Sequence, residues 1–212
     1  MSNLPLPLSP ELGGRLSAAL DVEGKIARGL EALGPVAGRD VLLVDATGSA
    51  VAAAIHGLGA RIHHQPISEP FRSELPDGSV DAVVGLWSAF RGVDAGELAE
   101  VDRVLRPKGR LLVIHDYGRD DVSRLLGERP EYGAWSHRNG PFLGGGFRVR
   151  VLHCFWTFES MEAMTAFLVD AFGENGAAVV ATLKRPRLTY NVAIYHRTRG
   201  GAGDPPGVAS GA

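Results

Sequence analysis

Two stretches decide the fold: LPDGSVDAVVGLW at residues 75–87 and ELAEVDRVLRPKGRLLVIHD at residues 97–116. In the first, Pro76, Asp77 and Gly78 carry turn chemistry, and the apolar run after Asp81 shows no polar alternation, the pattern of a strand covered on both faces. In the second, Leu98, Val101 and Leu105 recur at helical spacing behind Asp94 and Glu97, which together resemble a capping box. Pro107 and Gly109 stop that helix, and LLVIH at residues 111–115 is another buried strand. Strand, helix and strand joined by short turns predict a parallel pair with a helical crossover.

The same alternation extends upstream. VLLV at residues 41–44 is a further apolar strand, the turn DATGS follows it, and AVAAAIHGLG is an alanine-rich helix with Ser49 placed to cap it. A short strand around residues 61–64 comes next. Before them, Leu12, Leu16, Leu20, Ile26, Leu30 and Leu33 predict one or two helices interrupted by Gly13, Gly14 and Gly24, behind an extended arm restricted by Pro5, Pro7 and Pro10. Downstream, residues 118–146 are rich in Gly, Pro and charge and predict a short helix among loops. FRVRVLHCFWTF at residues 147–158 is a long strand, and Met161, Met164, Phe167, Leu168 and Phe172 trace a helix face that Gly173 closes. LTYNVAIYHRT at residues 188–198 is a last strand, expected to join antiparallel. The expectation is an α/β chain with a doubly wound, mostly parallel sheet and an antiparallel C-terminal strand. An N-terminal arm with helices spans residues 1–38, the α/β domain 39–199 and a disordered tail 200–212.

The 212 residues, 45% apolar and 22% charged, suit one substantial core. A formal charge of −2 gives no general attraction to nucleic acid or anionic membrane. Lys184, Arg185, Arg187, Arg197 and Arg199 occur without an acid between them, and we read them as a solvated strand edge; no stacking motif accompanies them, so nucleic acid is not an expected partner. Cys154 is the only cysteine and lies in an apolar run, so no internal disulfide forms, a quiet core role is expected, and the cytoplasm is the natural setting. No segment has the length and apolarity of a membrane span. His63 and His64 are adjacent, face opposite sides of a strand and cannot chelate as a pair, so no metal is expected. Trp135, Phe142, Phe147 and Trp156 are candidates for an apolar pocket beneath Gly144, Gly145 and Gly146, or for a satellite core.

The glycine-bearing first turn, the two stretches quoted first and the closing strand, helix and strand together resemble the class I S-adenosylmethionine-dependent methyltransferases over residues 39–199. The resemblance implies a Rossmann-like sheet of that family's type. In the family an acid ends the first strand and a G-x-G-x-G turn lets backbone amides approach the cofactor. An ungapped match over residues 41–62 places Leu43 at the acid position and Asp45, Thr47 and Ser49 at the glycine positions, with Gly48 out of phase. Moving Asp45 into the acid role places Thr47, Ser49 and Val51 there instead. The second acid, which accepts the ribose hydroxyls, falls at Pro66. Only residues 67–74 then remain where the family has a helix and a strand, so the sheet is expected to be shortened on the second-strand side. Asp45 or Ser49 reads first as a helix cap.

These departures predict a methyltransferase-like protein that has lost S-adenosylmethionine and takes no cofactor. It would act as a binding or scaffold partner, or as a repurposed small-molecule enzyme, with a small molecule or a protein as its partner. The alternative is an active S-adenosylmethionine-dependent methyltransferase acting on a small molecule. Open α/β sheets bind ligands at the carboxyl ends of their strands. His115, Asp116 and Tyr117 are therefore the catalytic candidates, with His115 as a general base oriented by a carboxylate. Trp87, Ser88 and Arg119 are the substrate-binding candidates, with Arg119 neutralising an anionic substrate. Asp45, Thr47, Gly48 and Ser49 match the cofactor turn by position alone. The plain alternative is a polar strand exit at Asp116 and Tyr117 with Arg119 solvated.

Overall fold

Apolar strands without alternation call for a sheet buried on both faces, and the computed structural model, which describes residues 6–34, 36–44, 50–68, 70–87, 89–127, 129 and 131–200, contains one. Strands β1 (Asp40–Val44), β2 (Arg61–Gln65), β3 (Val80–Leu86), β4 (Leu105–Asp116), β5 (Arg148–Thr157) and β6 (Arg187–Thr198) form a single six-stranded sheet in the order β2-β1-β3-β4-β6-β5. β1 pairs in parallel with β2 and β3, and β3 with β4. β6 is antiparallel to both β4 and β5, so it alone runs against the rest. The doubly wound, mostly parallel sheet with an antiparallel C-terminal strand is therefore present.

The helices are α1 (Pro10–Ala19), α2 (Lys25–Leu33), α3 (Ala50–Gly57), α4 (Ala95–Val104), α5 (Asp121–Leu126), α6 (Glu131–Ala134), α7 (Pro141–Gly144) and α8 (Met161–Val180). They cover both faces of the sheet, because residues alternate along each strand. Val41 and Leu43 of β1 join Leu16, Ile26, Leu30, Trp156 and Phe167 in one apolar cluster. Leu42 and Val44 join Val83, Val101, Val104 and Phe142 in the other. Asp94 caps α4 as expected, accepting from the backbone N–H groups of Gly96 at 2.8 Å and Glu97 at 3.1 Å. At the opposite end of the sheet from the site, Arg61 and Arg106 both bond Asp40, and Arg106 also reaches Asp81 at 2.7 Å. The arginines, Arg61 first, hold the Asp40 carboxyl far below the usual range; the network is open to solvent, so it sets register more than stability.

Three expectations are corrected. First, pairing opposite Val44 makes Gln65 the last residue of β2, so Pro66 lies one position beyond the place assigned to the second acid. The shortening on that side stands, since no helix or strand lies between Gln65 and Val80 among the described residues. Second, the last helix does not end at Gly173, whose backbone (φ 56, ψ −129) kinks the chain before helical structure resumes. Third, Trp156 packs with Phe167 and Phe172 on one face of the sheet, whereas Trp135, Phe142 and Phe147 lie on the other.

The kink brings the two arms of α8 into contact, and a Cβ on Gly176 would sit 2.0 Å from the Leu168 carbonyl oxygen. Gly176→Ala is therefore expected to destabilise the protein by about 1–3 kcal/mol, because backbone must move to make room. Gly14 is exposed on α1 with nothing within 4 Å of its missing Cβ, so Gly14→Ala is expected to stabilise by roughly 0.5–1 kcal/mol. Urea unfolding midpoints of the two variants should move in opposite directions; equal shifts would refute the contact at Gly176.

Candidate active site

The chain leaves β3 at Leu86 and turns sharply, with Trp87 at φ 36. The turn is held by the Trp87 backbone N–H, which donates to Ile114 of β4 at 2.9 Å. The indole N–H is held as well, lying 2.9 Å from Asp116 Oδ1 and 2.8 Å from the Tyr190 hydroxyl. Tyr190, on β6, donates in turn to the same Asp116 oxygen at 2.5 Å. Three neighbouring strands thus converge on one carboxylate oxygen. Trp87 and Tyr190 are each 1% exposed. Burial pushes the Asp116 carboxyl above its ordinary value, against the hydrogen bond from Tyr190 and the charge of Arg129. Burial, and then the charge of Asp116, push the Tyr190 phenol up.

His115 precedes Asp116 on the strand and so points to the other face. There its ring lies 4.5 Å from that of Trp135, 5.6 Å from Phe142 and 6.4 Å from Tyr195. Burial, followed by the charge of Arg91, holds the imidazole down at about 3. Backbone interactions with Phe90 and Trp87 oppose that shift without reversing it. His115 and Asp116 are therefore not brought together as a base and its orienting carboxylate: Asp116 serves Trp87 and Tyr190, and His115 is a neutral member of an aromatic wall. Tyr117 is partly buried against that same cluster, and its backbone N–H donates to Asn191 at 2.9 Å. Arg119 is exposed at φ 61. Asp45, Thr47, Gly48, Ser49 and Ser88 lie outside the described residues.

Sequence reasoning missed four members of this site. Arg91 donates to the Trp87 carbonyl at 2.9 Å and stacks 5.0 Å over the Trp135 ring. Arg129 and Tyr132 join Trp87, Arg91, His115, Asp116 and Trp135 around a small cavity. Arg129 and Tyr132 also line a wider adjoining cleft of about 530 Å³ with Arg119, Ser123, Arg124 and Gly127. Tyr190 is the fourth, and nothing in the sequence of its strand sets it apart from Thr189 or Tyr195. Trp87, Phe90, Val93 and Arg119, in the loops after β3 and β4, have positive φ, as do Asp21 and Lys108 elsewhere. A separate cleft of about 730 Å³ lies along the edge strand β2, lined by Leu42, His63, Gln65, Arg72 and Leu75 among others. Among the described residues, no helix is long and apolar enough to cross a membrane, and no three His, Cys, Asp or Glu side chains gather as metal ligands.

No family model matches the chain, and no curated protein sequence matches it. Solved structures do. A protein from Anaeromyxobacter dehalogenans described as a type II methyltransferase superposes on 82% of this chain and 95% of its own, at 19% identity and a TM-score of 0.53. The MccD protein superposes on 81% of this chain and 96% of its own, at 16% identity and a TM-score of 0.50. A looser likeness, at a TM-score of 0.45 and 15% identity over 84% of this chain and 79% of the other, is to the geranyl diphosphate C-methyltransferase of Streptomyces coelicolor A3(2), solved with Mg2+, geranyl diphosphate and S-adenosyl-L-homocysteine. At these identities the likeness is one of fold, and the fold is that of the class I methyltransferases. It corrects the expectation that the chain takes no cofactor: the protein matched at a TM-score of 0.53 is described as a methyltransferase, which points to S-adenosylmethionine, the alternative, in place of none.

Two outcomes follow from the burial of titratable groups. The Asp116 pKa is raised in the folded protein, so the charged form is less favoured there than in the unfolded chain. Its contribution to stability is full below the unfolded carboxylate range and is lost as pH rises through the raised folded value. Asp116→Asn keeps an acceptor for Trp87 and Tyr190 without the charge. Its melting temperature should exceed that of the wild type at about pH 7 and above, with the gap closing on acidification. A pH-independent gap would show that the carboxyl is not desolvated. Cys154 is 1% exposed and its thiol is pushed up to about 12 by burial and then by Asp21, a carboxylate neighbour that the apolar sequence around Cys154 does not reveal. Ellman's reagent should label it only after unfolding; rapid labelling of the native protein would contradict this.

Proposed function

We propose that the chain transfers a methyl group from S-adenosylmethionine to a small molecule at the Trp87, Asp116 and Tyr190 cluster. The observation that carries the proposal is the fold shared with a methyltransferase over 95% of that protein's length, with a polar cluster standing at the strands' carboxyl ends. The cofactor fits the donor set at the end of β2. The Gln65 side-chain nitrogen donates to the Arg72 carbonyl, which leaves Oε1 to accept a ribose hydroxyl. A neutral amide oxygen is a weaker acceptor than a carboxylate, so Gln65 is a modest ribose ligand. S-adenosylmethionine, when bound, supplies an electrophilic methyl group.

The remaining work falls to the chain's own side chains. Trp87 and Tyr190 fix Asp116 through Oδ1, and neither of those bonds engages Oδ2. Oδ2 is the proton acceptor for a hydroxyl or amine on the acceptor molecule. A raised carboxyl pKa brings the base closer to the working pH, where proton transfer is most effective. Trp135 and Tyr132 wall the small cavity and keep water from the base.

Calorimetric titration with S-adenosylhomocysteine tests the reading. Saturable binding in the micromolar range is expected, weakened about tenfold or less by Gln65→Ala because one neutral hydrogen bond is lost. Absence of binding up to the high micromolar range would overturn the proposal.

A further inference from the structure

We infer that the acceptor molecule carries an oxyanion, seated on Arg119, Arg124 and Arg129 in the wider cleft that adjoins the Asp116 cavity. This rests on the methyl-transfer reading for the role of Asp116, but the anion site itself stands on separate observations. Three guanidinium groups, Ser123 and Tyr132 line one concavity, and no acidic side chain lines it among the described residues. Glu128 lies outside the described residues; of the described acids nearby, Asp121 pairs with Arg124, the Arg129 charge acts on Asp116, and each is also held by other donors. Asp120 accepts from the backbone N–H groups of Ser123 and Asn191, each at 2.6 Å. Asp121 accepts from the Thr189 backbone N–H at 2.8 Å and its hydroxyl at 2.6 Å, and pairs with Arg124. Asp116 is bound by Trp87 and Tyr190. Of the three arginines, only Arg124 forms a salt bridge with a described residue.

Solvated arginines on a convex surface spread apart and mix with acids. Here they converge on a concavity in a chain whose formal charge is −2. The backbone that presents Arg119 is also held: the Asn191 side-chain amide donates to the carbonyls of Gly118 at 3.1 Å and Arg119 at 3.3 Å. Guanidinium groups bind carboxylate and phosphate through charge-assisted, often bidentate hydrogen bonds, and the chemistry is shared by both oxyanions. The cleft volume of about 530 Å³ suits a small molecule. Arg129 and Tyr132 are walls of both cavities; the inner one has room for about one water molecule, so the anion site lies in the outer cleft.

The test uses the full chain and three probes of one shape: benzoate, phenyl phosphate and the neutral benzamide, titrated while tryptophan fluorescence is followed. At least one anion should bind about tenfold tighter than benzamide, and whichever is tighter identifies the oxyanion. Arg119→Gln and Arg129→Gln should each weaken that anion about tenfold, and Arg119→Gln, outside the Asp116 cavity, should leave benzamide and S-adenosylhomocysteine affinities unchanged. Thermal melts verify that both variants fold. Equal affinity for the three probes, no saturation by either anion, or anion binding indifferent to both substitutions would overturn the inference. Anion binding that survives in a chain without affinity for S-adenosylhomocysteine would remove the methyl-transfer reading and leave the oxyanion site in place.

Discussion

One carboxylate oxygen holds the functional end of this protein together. Asp116 Oδ1 accepts from the Trp87 indole and the Tyr190 hydroxyl, and those three residues end or cross three adjacent strands. A buried carboxyl without donors would be expensive, so the bonds and the burial require one another. The arrangement also explains how Trp87 tolerates its left-handed backbone. The residue is fixed twice, by its amide to Ile114 and by its ring to Asp116 and Tyr190, so the surrounding structure determines a conformation that the residue alone would avoid.

The strand that makes this possible is β6, the one that runs against the others. Tyr190 and Tyr195 are separated by an odd number of positions and face opposite sides of the sheet. The first completes the carboxylate cluster; the second stacks on Phe142 at 4.0 Å and closes the aromatic wall around His115. Asn191, between them, secures the 118–119 backbone that carries Arg119. A single antiparallel insertion between β4 and β5 therefore supplies the donor, the wall and the loop support of the candidate site.

Most of the fold was legible because parallel strands buried on both faces leave unbroken apolar runs, and because Asp94 caps the helix between two of them, although that helix ends at Val104 and β4 takes in Pro107 and Gly109. What was not legible depended on pairing. The end of β2 is fixed by the partnership of Gln65 with Val44, which residue counting from the first turn missed by one position. Tyr190 lies 74 residues from Asp116, and no local pattern connects them. His115 attracted the base assignment through its ordinary titration range, but its position on the strand turns it into the apolar side, where burial removes its basicity. Gly173 was expected to close the last helix; that the chain kinks there and re-enters helix is a matter of tertiary packing against Leu168.

The shortened connection after β2 gives the sheet two unequal halves, and the inequality bears on where chemistry can occur. β3 and β4 are buried along nearly their whole length toward the site, whereas β2 exposes three of its five residues beside an open cleft. Electrostatic interactions strengthen as water is excluded, so a carboxyl pKa can be raised and a donor pair can fix its geometry only on the covered side. Asp116, Trp87 and Tyr190 stand there. On the open side, Gln65 contributes a neutral hydrogen-bonding group to a solvated edge. The short connection after β2 therefore leaves the Asp116 cluster intact, because none of its groups belongs to that side of the sheet.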